Sequence, residues 1–161
     1  MEKYPVQMSL DQMICVTPDS IVEKSHDTNR LKMVVFADTT DCSQCYIDHL
    51  KQWNDLLSLE TKYSNLSFYF VVEARKNEGK FLSNLLHDCG LFHTAYIDTS
   101  HVFLRENPHV DVPSTFHTFL LNEDNQIILV GNPLINPNIK KLLIEIMEAN
   151  HKRKRPETKV Q

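Results

Sequence analysis

Two cysteines three positions apart carry the clearest chemistry in this sequence. Cys42 and Cys45 form a Cys-x-x-Cys motif. On a helix this step brings the two Cα atoms to about 5–6 Å, within the reach of a disulfide bond. Free N–H groups and the positive end of the helix dipole stabilise a thiolate at a helix N-terminus. The motif therefore predicts a pair that exchanges thiols with disulfides. In this pair Cys42 is exposed and attacks, whereas Cys45 is shielded by the first helical turn and resolves the mixed disulfide.

A strand and a helix must position this pair. Residues 31–37 form a short apolar run with β-branched side chains, which is typical of a buried strand. After the motif, apolar residues recur at helical spacing from Ile47 onwards and predict an amphipathic helix to about Thr61. The two cysteines are therefore expected where a buried strand becomes a helix, with Cys42 at or near the helix N-terminus and Cys45 one turn later.

The rest of the chain alternates strand-like and helix-like patterns. Further strands are predicted at 66–72, 93–98, 115–121 and 126–130, and further helices near 81–89, 102–105 and 136–147. The first of these helices has an apolar stripe made of Phe81, Leu82, Leu85 and Leu86. Thr99 or Ser100 is expected to cap the second. Strand–helix–strand units imply parallel pairing of their strands. The strands at 115–121 and 126–130 are expected to form a hairpin, which adds antiparallel strands. The sequence thus predicts an α/β fold, a three-layer α/β/α sandwich with a mixed central sheet and an N-terminal extension.

Three segments are expected along the chain. Residues 1–30 form an N-terminal extension packed on the domain, residues 31–150 form the domain, and residues 151–161 form a basic, solvated and disordered tail. Cys15 alternates with apolar neighbours in the extension and is expected to be a buried small hydrophobe. Cys89 is expected to be structural, because the dipole at a helix C-terminus disfavours a thiolate.

Composition argues against several classes of function. A net charge of −4 gives no reason to expect a nucleic-acid partner. No apolar run approaches the roughly 18–20 residues of a membrane span. Four cysteines in 161 residues are too few for a disulfide scaffold. The start of the sequence lacks the basic residues and apolar core of a secretion signal. Either the protein stays in the cytosol, or a leader lies outside this sequence.

The order of elements, with Cys-x-x-Cys opening the first helix after a buried strand, resembles the thioredoxin fold. The N-terminal extension and the additional strand–helix unit at 66–90 resemble the TlpA/ResA-like thioredoxins of the bacterial envelope. The similarity covers roughly residues 30–148. The matching sequence blocks are residues 34–37 with 42–45, and residues 118–122 with 126–133.

This resemblance implies a thiol-disulfide oxidoreductase of the bacterial periplasm or cell envelope. Its partners are then protein or peptide thiols and disulfides, and it needs no cofactor and no metal. Carried over by position, Cys42 is the nucleophile and Cys45 the resolving cysteine. Asp41, Thr115 and Phe116 occupy the positions that support substrate binding beside them.

Three positions depart from the family pattern. In the family, a cis-proline begins the strand that faces the cysteines. Phe116 occupies that position in this sequence, and Pro113 lies three residues earlier. A trans peptide is expected, because a cis bond before a non-proline residue costs about 3–4 kcal/mol. The family usually has a tryptophan before the first cysteine, and this sequence has Asp41 there. A carboxylate at this position opposes thiolate formation. The family often has a buried acid on the first strand, and Phe36 occupies that position in this sequence. Asp38, near the end of the same strand, can replace the missing acid as a proton relay. Together these departures favour a less activated thiol and a reductant.

Three other functions fit parts of the pattern. Thr39-Thr40-Asp41-Cys42 matches the Thr-x-x-Cys of peroxiredoxins, in which a threonine orients the peroxide, with Arg75 or Arg105 as the arginine that activates the thiolate. The cysteine pair with His117 can also hold copper(I) or zinc. The departures further fit a redox-inactive binding module, although such a module has no physical need for both thiols.

Overall fold

A computed structural model describes residues 4–18, 30–38, 43–110 and 116–154, and for residues 43, 44, 116, 117 and 154 it describes the backbone alone. Its strands and helices are, in chain order, β1 (Ile14–Val16), β2 (Leu31–Ala37), α1 (Ser43–His49), α2 (Asn54–Lys62), β3 (Leu66–Glu73), α3 (Gly79–Asp88), β4 (Ala95–Asp98), α4 (Val102–Glu106), β5 (Phe116–Leu121), β6 (Ile127–Val130) and α5 (Pro137–Lys154). Short 3-10 turns lie at Leu10–Gln12, Leu50–Trp53 and Pro108–Val110.

The strands form one mixed sheet in the order β1-β4-β3-β2-β5-β6. Strands β2, β3 and β4 are parallel to one another, whereas β1, β5 and β6 run antiparallel to their neighbours. The parallel strands are those joined by helical crossovers, and β5 and β6 form the predicted hairpin. All seven residues of β2 are buried because this strand lies inside the sheet. That position explains the apolar run at 31–37.

Helices cover both faces of the sheet. Met33 points to the face that α1, α2, α3 and α5 cover, and it shares a core with Leu143 of α5. Phe36 points to the opposite face, because side chains alternate along a strand. Its ring stacks on Phe103 of α4 with the ring centroids 4.6 Å apart, and Val6 of the N-terminal segment joins the same core. The predicted three-layer α/β/α sandwich is therefore confirmed.

The helix after the cysteine motif is divided, whereas the sequence predicted one continuous helix. The 3-10 turn at Leu50–Trp53 separates α1 from α2. Leu50 and Trp53 are both buried, and the tighter turn aligns residues that are three positions apart. Asn54, the first residue of α2, attaches this helix to the segment after α3, since its side-chain amide donates to the Gly90 carbonyl at 2.8 Å. Core packing thus decides the shape of this helical segment.

Two side chains predicted to face the core are exposed. Cys15 is exposed because β1 is a three-residue strand at the edge of the sheet. Phe81 is 56% exposed, whereas Leu82 and Leu86 of the same helix are buried. The apolar face of α3 is therefore narrower than the predicted stripe.

The segment before β1 packs on the face that α4 covers. Asn107, which is fully buried, holds this segment through its side-chain amide. Its oxygen accepts the N–H of Gln7 at 2.7 Å, and its nitrogen donates to the carbonyls of Gln7 at 2.9 Å and Phe103 at 2.7 Å. The Ser9 hydroxyl donates to the Glu106 carboxylate at 2.6 Å. The domain boundary at residue 30 stays a prediction, because residues 19–29 lie outside the described ranges.

The last helix, α5, runs from Pro137 to Lys154 and so reaches into the segment predicted as a basic tail. Residues 155–161 lie outside the described part of the chain. Leu143 and Met147 anchor α5 to the sheet and are fully buried. None of the helices in the described ranges combines the length and the apolar character that crossing a bilayer requires.

Candidate functional site

The cysteine motif connects the carboxyl end of β2 to the start of α1. Strand β2 ends at Ala37 and α1 begins at Ser43. Cys45 is the third residue of α1 and lies in the first turn of this helix, which follows a buried strand. Cys42 directly precedes Ser43, but Cys42 and Asp41 lie outside the described residues. Their placement and roles therefore stay predictions.

The Cys45 side chain is exposed, so the prediction that the first helical turn shields it is wrong. The next two residues, Tyr46 and Ile47, turn toward the sheet and are buried. Successive helical residues are rotated by about 100°, which leaves Cys45 on the solvent side of α1. Burial raises the pKa of the Tyr46 hydroxyl. A sulfur atom from a partner can reach Cys45 directly.

The strand that faces the motif begins at Phe116. The Phe116 backbone pairs with Ala37, the last residue of β2. The start of β5 therefore lies at the sheet edge from which the chain runs to the cysteines. Thr115, the peptide bond between Thr115 and Phe116, and the Phe116 side chain lie outside the described structure. His117 pairs with Phe36 through its backbone, and its side chain is likewise outside it.

Three ionisable side chains meet at this same edge of the sheet. Glu73 ends β3, Asp98 ends β4, and the two residues are partners in the strand register. They are 3% and 0% exposed. His101 precedes α4, its side chain is 51% exposed, and its Nδ1 atom lies 3.1 Å from Oε2 of Glu73. A half-exposed imidazole thus connects a buried carboxylate to solvent.

Asp98 fixes the start of α4. Its two carboxylate oxygens accept the backbone N–H groups of Val102 at 3.0 Å and Phe103 at 2.9 Å. The sequence predicted Thr99 or Ser100 in this capping role. That prediction is wrong, because the capping carboxylate comes from the end of β4 rather than from the residues nearest the helix.

Neither Glu73 nor His101 was predicted as a residue of the site. A signal for Glu73 exists in the sequence, because each of the three parallel strands ends with an acid or is followed by one. These acids are Asp38, Glu73 and Asp98. The carboxyl ends of parallel strands share one edge of a sheet, where ligand sites of α/β proteins form. No comparable pattern marks His101.

Cys89 lies directly after α3 and is half-buried. Its thiol donates to the Leu86 carbonyl at 3.1 Å. Burial raises the pKa of this thiol, and the carboxylates of Asp48 and Asp88 raise it further. A raised pKa keeps Cys89 in its unreactive thiol form, which suits a structural cysteine.

No protein-family model matches the sequence, and no curated protein matches it either. Solved structures do resemble the chain. A putative protein disulfide isomerase from Bacteroides thetaiotaomicron has a TM-score of 0.56 at 11% identity, over 94% of this chain and 91% of that one. A putative thiol:disulfide interchange protein DsbE from Chlorobium tepidum has a TM-score of 0.55 at 15% identity, over 92% of this chain and 98% of that one. The chain has a thioredoxin-like fold. The fold inferred from the sequence resemblance is therefore confirmed.

The thioredoxin-like fold also occurs in a protein described with a different activity. The bacterioferritin comigratory protein of Xanthomonas campestris, described for alkyl peroxide reduction, has a TM-score of 0.51 at 14% identity, over 76% of this chain and 81% of that one. At such identities the similarity concerns the fold alone. The choice between these chemistries therefore depends on the cysteine site.

A metal site would need several ligating side chains close together. Within the described ranges, no three His, Cys, Asp or Glu side chains are grouped so that they can hold a metal ion. The metal alternative raised by the sequence depends on Cys42 and on the His117 side chain. Both lie outside those ranges, so this alternative is decided by experiment.

Proposed function

We propose that this protein is a thiol-disulfide oxidoreductase that exchanges disulfides with protein or peptide partners through Cys42 and Cys45. The observation that carries the proposal is the exposed Cys45 thiol in the first turn of α1, the first helix after a parallel strand of a thioredoxin-like fold. Cys42 stands three positions earlier in the sequence, a spacing that on a helix brings two cysteines within disulfide reach. Neither sulfur needs a cofactor for this chemistry.

In the reducing direction, the Cys42 thiolate attacks one sulfur of the partner's disulfide. A mixed disulfide forms, and the partner's second sulfur leaves as a thiolate that takes up a proton. The Cys45 thiolate then attacks the Cys42 sulfur and releases the partner's first sulfur, which is also protonated. The partner gains two electrons and two protons, and a Cys42–Cys45 disulfide remains. A dithiol donor must reduce this disulfide before the next turnover.

The proposed direction is reduction of the partner. A strong disulfide oxidant needs a reduced form with a well stabilised thiolate, and the Asp41 carboxylate beside Cys42 opposes such stabilisation. The proposal includes a location in the bacterial periplasm or cell envelope. The resemblance of the sequence blocks to TlpA/ResA-like thioredoxins supports this location.

Reduction of insulin with dithiothreitol as the electron donor tests the function. We expect Cys42→Ser to abolish turnover. Cys45→Ser should stop turnover and accumulate a mixed disulfide that adds the partner's mass. Cys15→Ser and Cys89→Ser are matched controls that remove thiols outside the motif and should keep wild-type turnover. Wild-type rates in both motif variants would refute the assignment, and an inactive wild-type protein would favour a redox-inactive binding module.

Peroxide reduction is the second candidate, and the Thr-x-x-Cys spacing of Thr39 and Cys42 supports it. In that reaction the Cys42 thiolate attacks the peroxide, the O–O bond breaks, and the sulfur becomes a sulfenate while an alcohol or water leaves. Fast peroxide consumption that Cys42→Ser abolishes would establish this function. A rate no greater than that of a free thiol would exclude it.

A further inference from the structure

We propose that the end of the molecule opposite the cysteine motif is a docking surface for an anionic phospholipid bilayer. Three exposed cations form this basic surface: Lys62 at the end of α2, and Lys152 and Arg153 in the last turn of α5. They belong to two helices that the fold brings together. The inference goes beyond the proposed function, because it concerns what the protein attaches to and not how its thiols react.

Side-chain contacts hold the ends of α2 and α5 next to each other. Tyr63, which directly follows α2, is buried, and its ring centroid lies 5.9 Å from that of His151. Its hydroxyl donates to the Glu148 carboxylate at 3.3 Å. The Nζ atom of Lys62 lies over the same Tyr63 ring, 5.3 Å from its centroid. Lys152 directly follows His151, so the cations of the two helices belong to one surface.

The basic surface lies at the end of the sheet where β2 begins. The side-chain amide of Asn65 donates to that of Asn150 on α5, and the Asn65 carbonyl accepts the N–H of Leu31 at 2.8 Å. Leu31 is the first residue of β2, whereas the cysteine motif follows the last one. The seven residues of this strand span about 23 Å. The basic surface and the cysteine motif are therefore at opposite ends of the sheet.

The net charge of the whole chain does not prevent contact with an anionic surface. The chain carries a net charge of −4, but charges interact over only about 8 Å at physiological ionic strength. The acids that end β3 and β4, Glu73 and Asp98, lie roughly a strand length of 20 Å from the basic surface. Salt screens these acids from a bilayer that contacts Lys62, Lys152 and Arg153. The local charge therefore decides the attraction.

Two acids on the same helices have contacts of their own. The Glu148 carboxylate accepts the Tyr63 hydroxyl. Glu60 of α2 contacts the His93 imidazole, with its Oε1 atom 3.0 Å from Nε2, and the same oxygen accepts the Phe68 N–H at 2.7 Å. Both carboxylates are thus directed to groups within the fold.

The other acids near this end are on the opposite face of the sheet. Glu123 and Asp124 belong to the turn between β5 and β6. The N–H of Val6 donates to the Asn125 carbonyl of this turn at 2.8 Å, and Val6 packs on the face that α4 covers. Helices α2 and α5 cover the other face. The sheet therefore separates these acids from the basic surface.

A bilayer fits this surface better than a single anion or an acidic peptide does. A small anion is held in a concave site by converging polar groups, and an extended peptide binds along a strand edge or in a groove. The three cations instead lie on the protruding ends of two helices, where a plane of many anionic headgroups can contact them together. Each basic residue near such a plane increases binding by roughly fivefold, and three by roughly a hundredfold. The attachment is therefore reversible and sensitive to salt.

Docking through the basic surface leaves the candidate functional site accessible. The Cys45 thiol is exposed on α1, and the helical path from Cys45 to Lys62 is roughly 25 Å long. A bilayer that contacts Lys62 is therefore distant from Cys45, and a partner protein can approach the thiol from the solvent side.

Cosedimentation of the full chain with lipid vesicles tests the surface. We expect the wild-type protein to bind vesicles of phosphatidylcholine and phosphatidylglycerol in equal parts and not vesicles of phosphatidylcholine alone. Sodium chloride should weaken binding, because it screens the charges. Lys152→Gln combined with Arg153→Gln should weaken binding by about tenfold or more, and Lys62→Gln alone by about fivefold.

A matched control removes the same charge from the other end of α5. Lys140→Gln combined with Lys141→Gln changes two exposed lysines near the start of this helix, and binding should stay within about twofold of the wild-type value. Cations at a helix C-terminus also stabilise the helix, so urea unfolding is measured for every variant. Lys62→Gln, on the other helix, gives an answer even if the α5 variant is less stable. Equal losses of binding in the two double variants would overturn the inference.

Lysine acetylation followed by peptide mass spectrometry locates the contact. Vesicles with phosphatidylglycerol should protect Lys62 and Lys152, whereas Lys140 and Lys141 should react at their rates in free protein. Alkylation of Cys45 should also be unchanged. Protection of Lys140, Lys141 or Cys45 instead of the basic surface would contradict the proposed orientation.

Two further results would overturn the assignment to lipid. Binding to polyglutamate without binding to phosphatidylglycerol vesicles would assign the surface to an acidic protein segment. Vesicle binding that inorganic phosphate abolishes at constant ionic strength would assign it to a phosphate site. None of these measurements uses thiol exchange, so an inactive protein in the insulin assay would leave the test of the basic surface unaffected.

Discussion

At the residue scale, Cys45 and Cys89 show how the environment sets the reactivity of one side-chain type. Cys45 is exposed on α1, whereas Cys89 is half-buried and donates to the Leu86 carbonyl. Burial first, and then the neighbouring carboxylates, raise the pKa of Cys89. A higher pKa means a smaller thiolate fraction at any given pH, and the thiolate is the species that reacts.

We therefore predict that Cys89 is alkylated more slowly than the exposed Cys15 in the reduced native protein. The difference should be about tenfold at mildly alkaline pH, because a smaller fraction of the Cys89 thiol is ionised there. The rate at Cys89 should rise only at higher pH, as measured by peptide mass spectrometry. In urea the two rates should become equal, and equal rates in the native protein would contradict the environment described for Cys89.

Spacing predicted the position of Cys45 but not its exposure. A three-residue step places two thiols on one helical turn whatever packs around them. Exposure depends on which way Tyr46 and Ile47 rotate the helix against the sheet. The contact between His101 and Glu73 was beyond prediction for a similar reason, because it requires a left-handed residue before α4 and nothing in the local sequence demands one.

At the element scale, the start of α4 depends on Asp98. Its carboxylate satisfies two backbone N–H groups inside the protein. We predict that Asp98→Ala lowers the free energy of unfolding by roughly 2 kcal/mol or more, because these buried donors lose their acceptor. Urea unfolding followed by circular dichroism measures the change. The control is Asp88→Ala, because the Asp88 side chain is 80% exposed. Its free energy of unfolding should stay within about 0.5 kcal/mol of the wild-type value. Equal losses of unfolding free energy in both variants would contradict the role of Asp98.

Elements with an unambiguous pattern were predicted from the sequence, and the break after α1 was not. The buried strands β2 and β3 stand out because both faces of the sheet are covered, so their apolar runs are nearly unbroken. Leu50 and Trp53, three positions apart, fit an α-helix and a 3-10 turn equally well. Packing against the sheet, rather than local spacing, selects the tighter turn.

At the scale of the whole molecule, Asn107 joins the N-terminal segment to the rest of the fold. Its amide bonds to Gln7, 100 residues away in the chain. We predict that Asn107→Ala lowers the free energy of unfolding by roughly 2–4 kcal/mol, because buried polar groups lose their partners. Hydrogen exchange at Gln7 should accelerate in the same variant. The control is Asn84→Ala, at an exposed position of α3. Equal exchange rates at Gln7 in the two variants would rule out this role of Asn107.

The sequence predicted the architecture of the domain and an N-terminal extension packed on it, but it did not predict which residue attaches that extension. Alternating strand and helix patterns leave few arrangements, since crossovers between parallel strands keep one hand. The resemblance around Cys42 and Cys45 reduced these to a single fold. A side-chain amide that binds a backbone 100 residues away has no periodic signature, and so the attachment through Asn107 is visible only in three dimensions.

The central claim is that Cys42 and Cys45 form a reversible disulfide, and equilibration of the protein in glutathione redox buffers tests it most directly. Mass spectrometry of the quenched samples identifies which peptides are linked. We predict one two-electron transition that links the two motif peptides, with a midpoint of roughly −230 mV or lower, on the thioredoxin side of the known range. Motif peptides that stay unlinked at every glutathione ratio, or that carry only glutathione, would contradict the account.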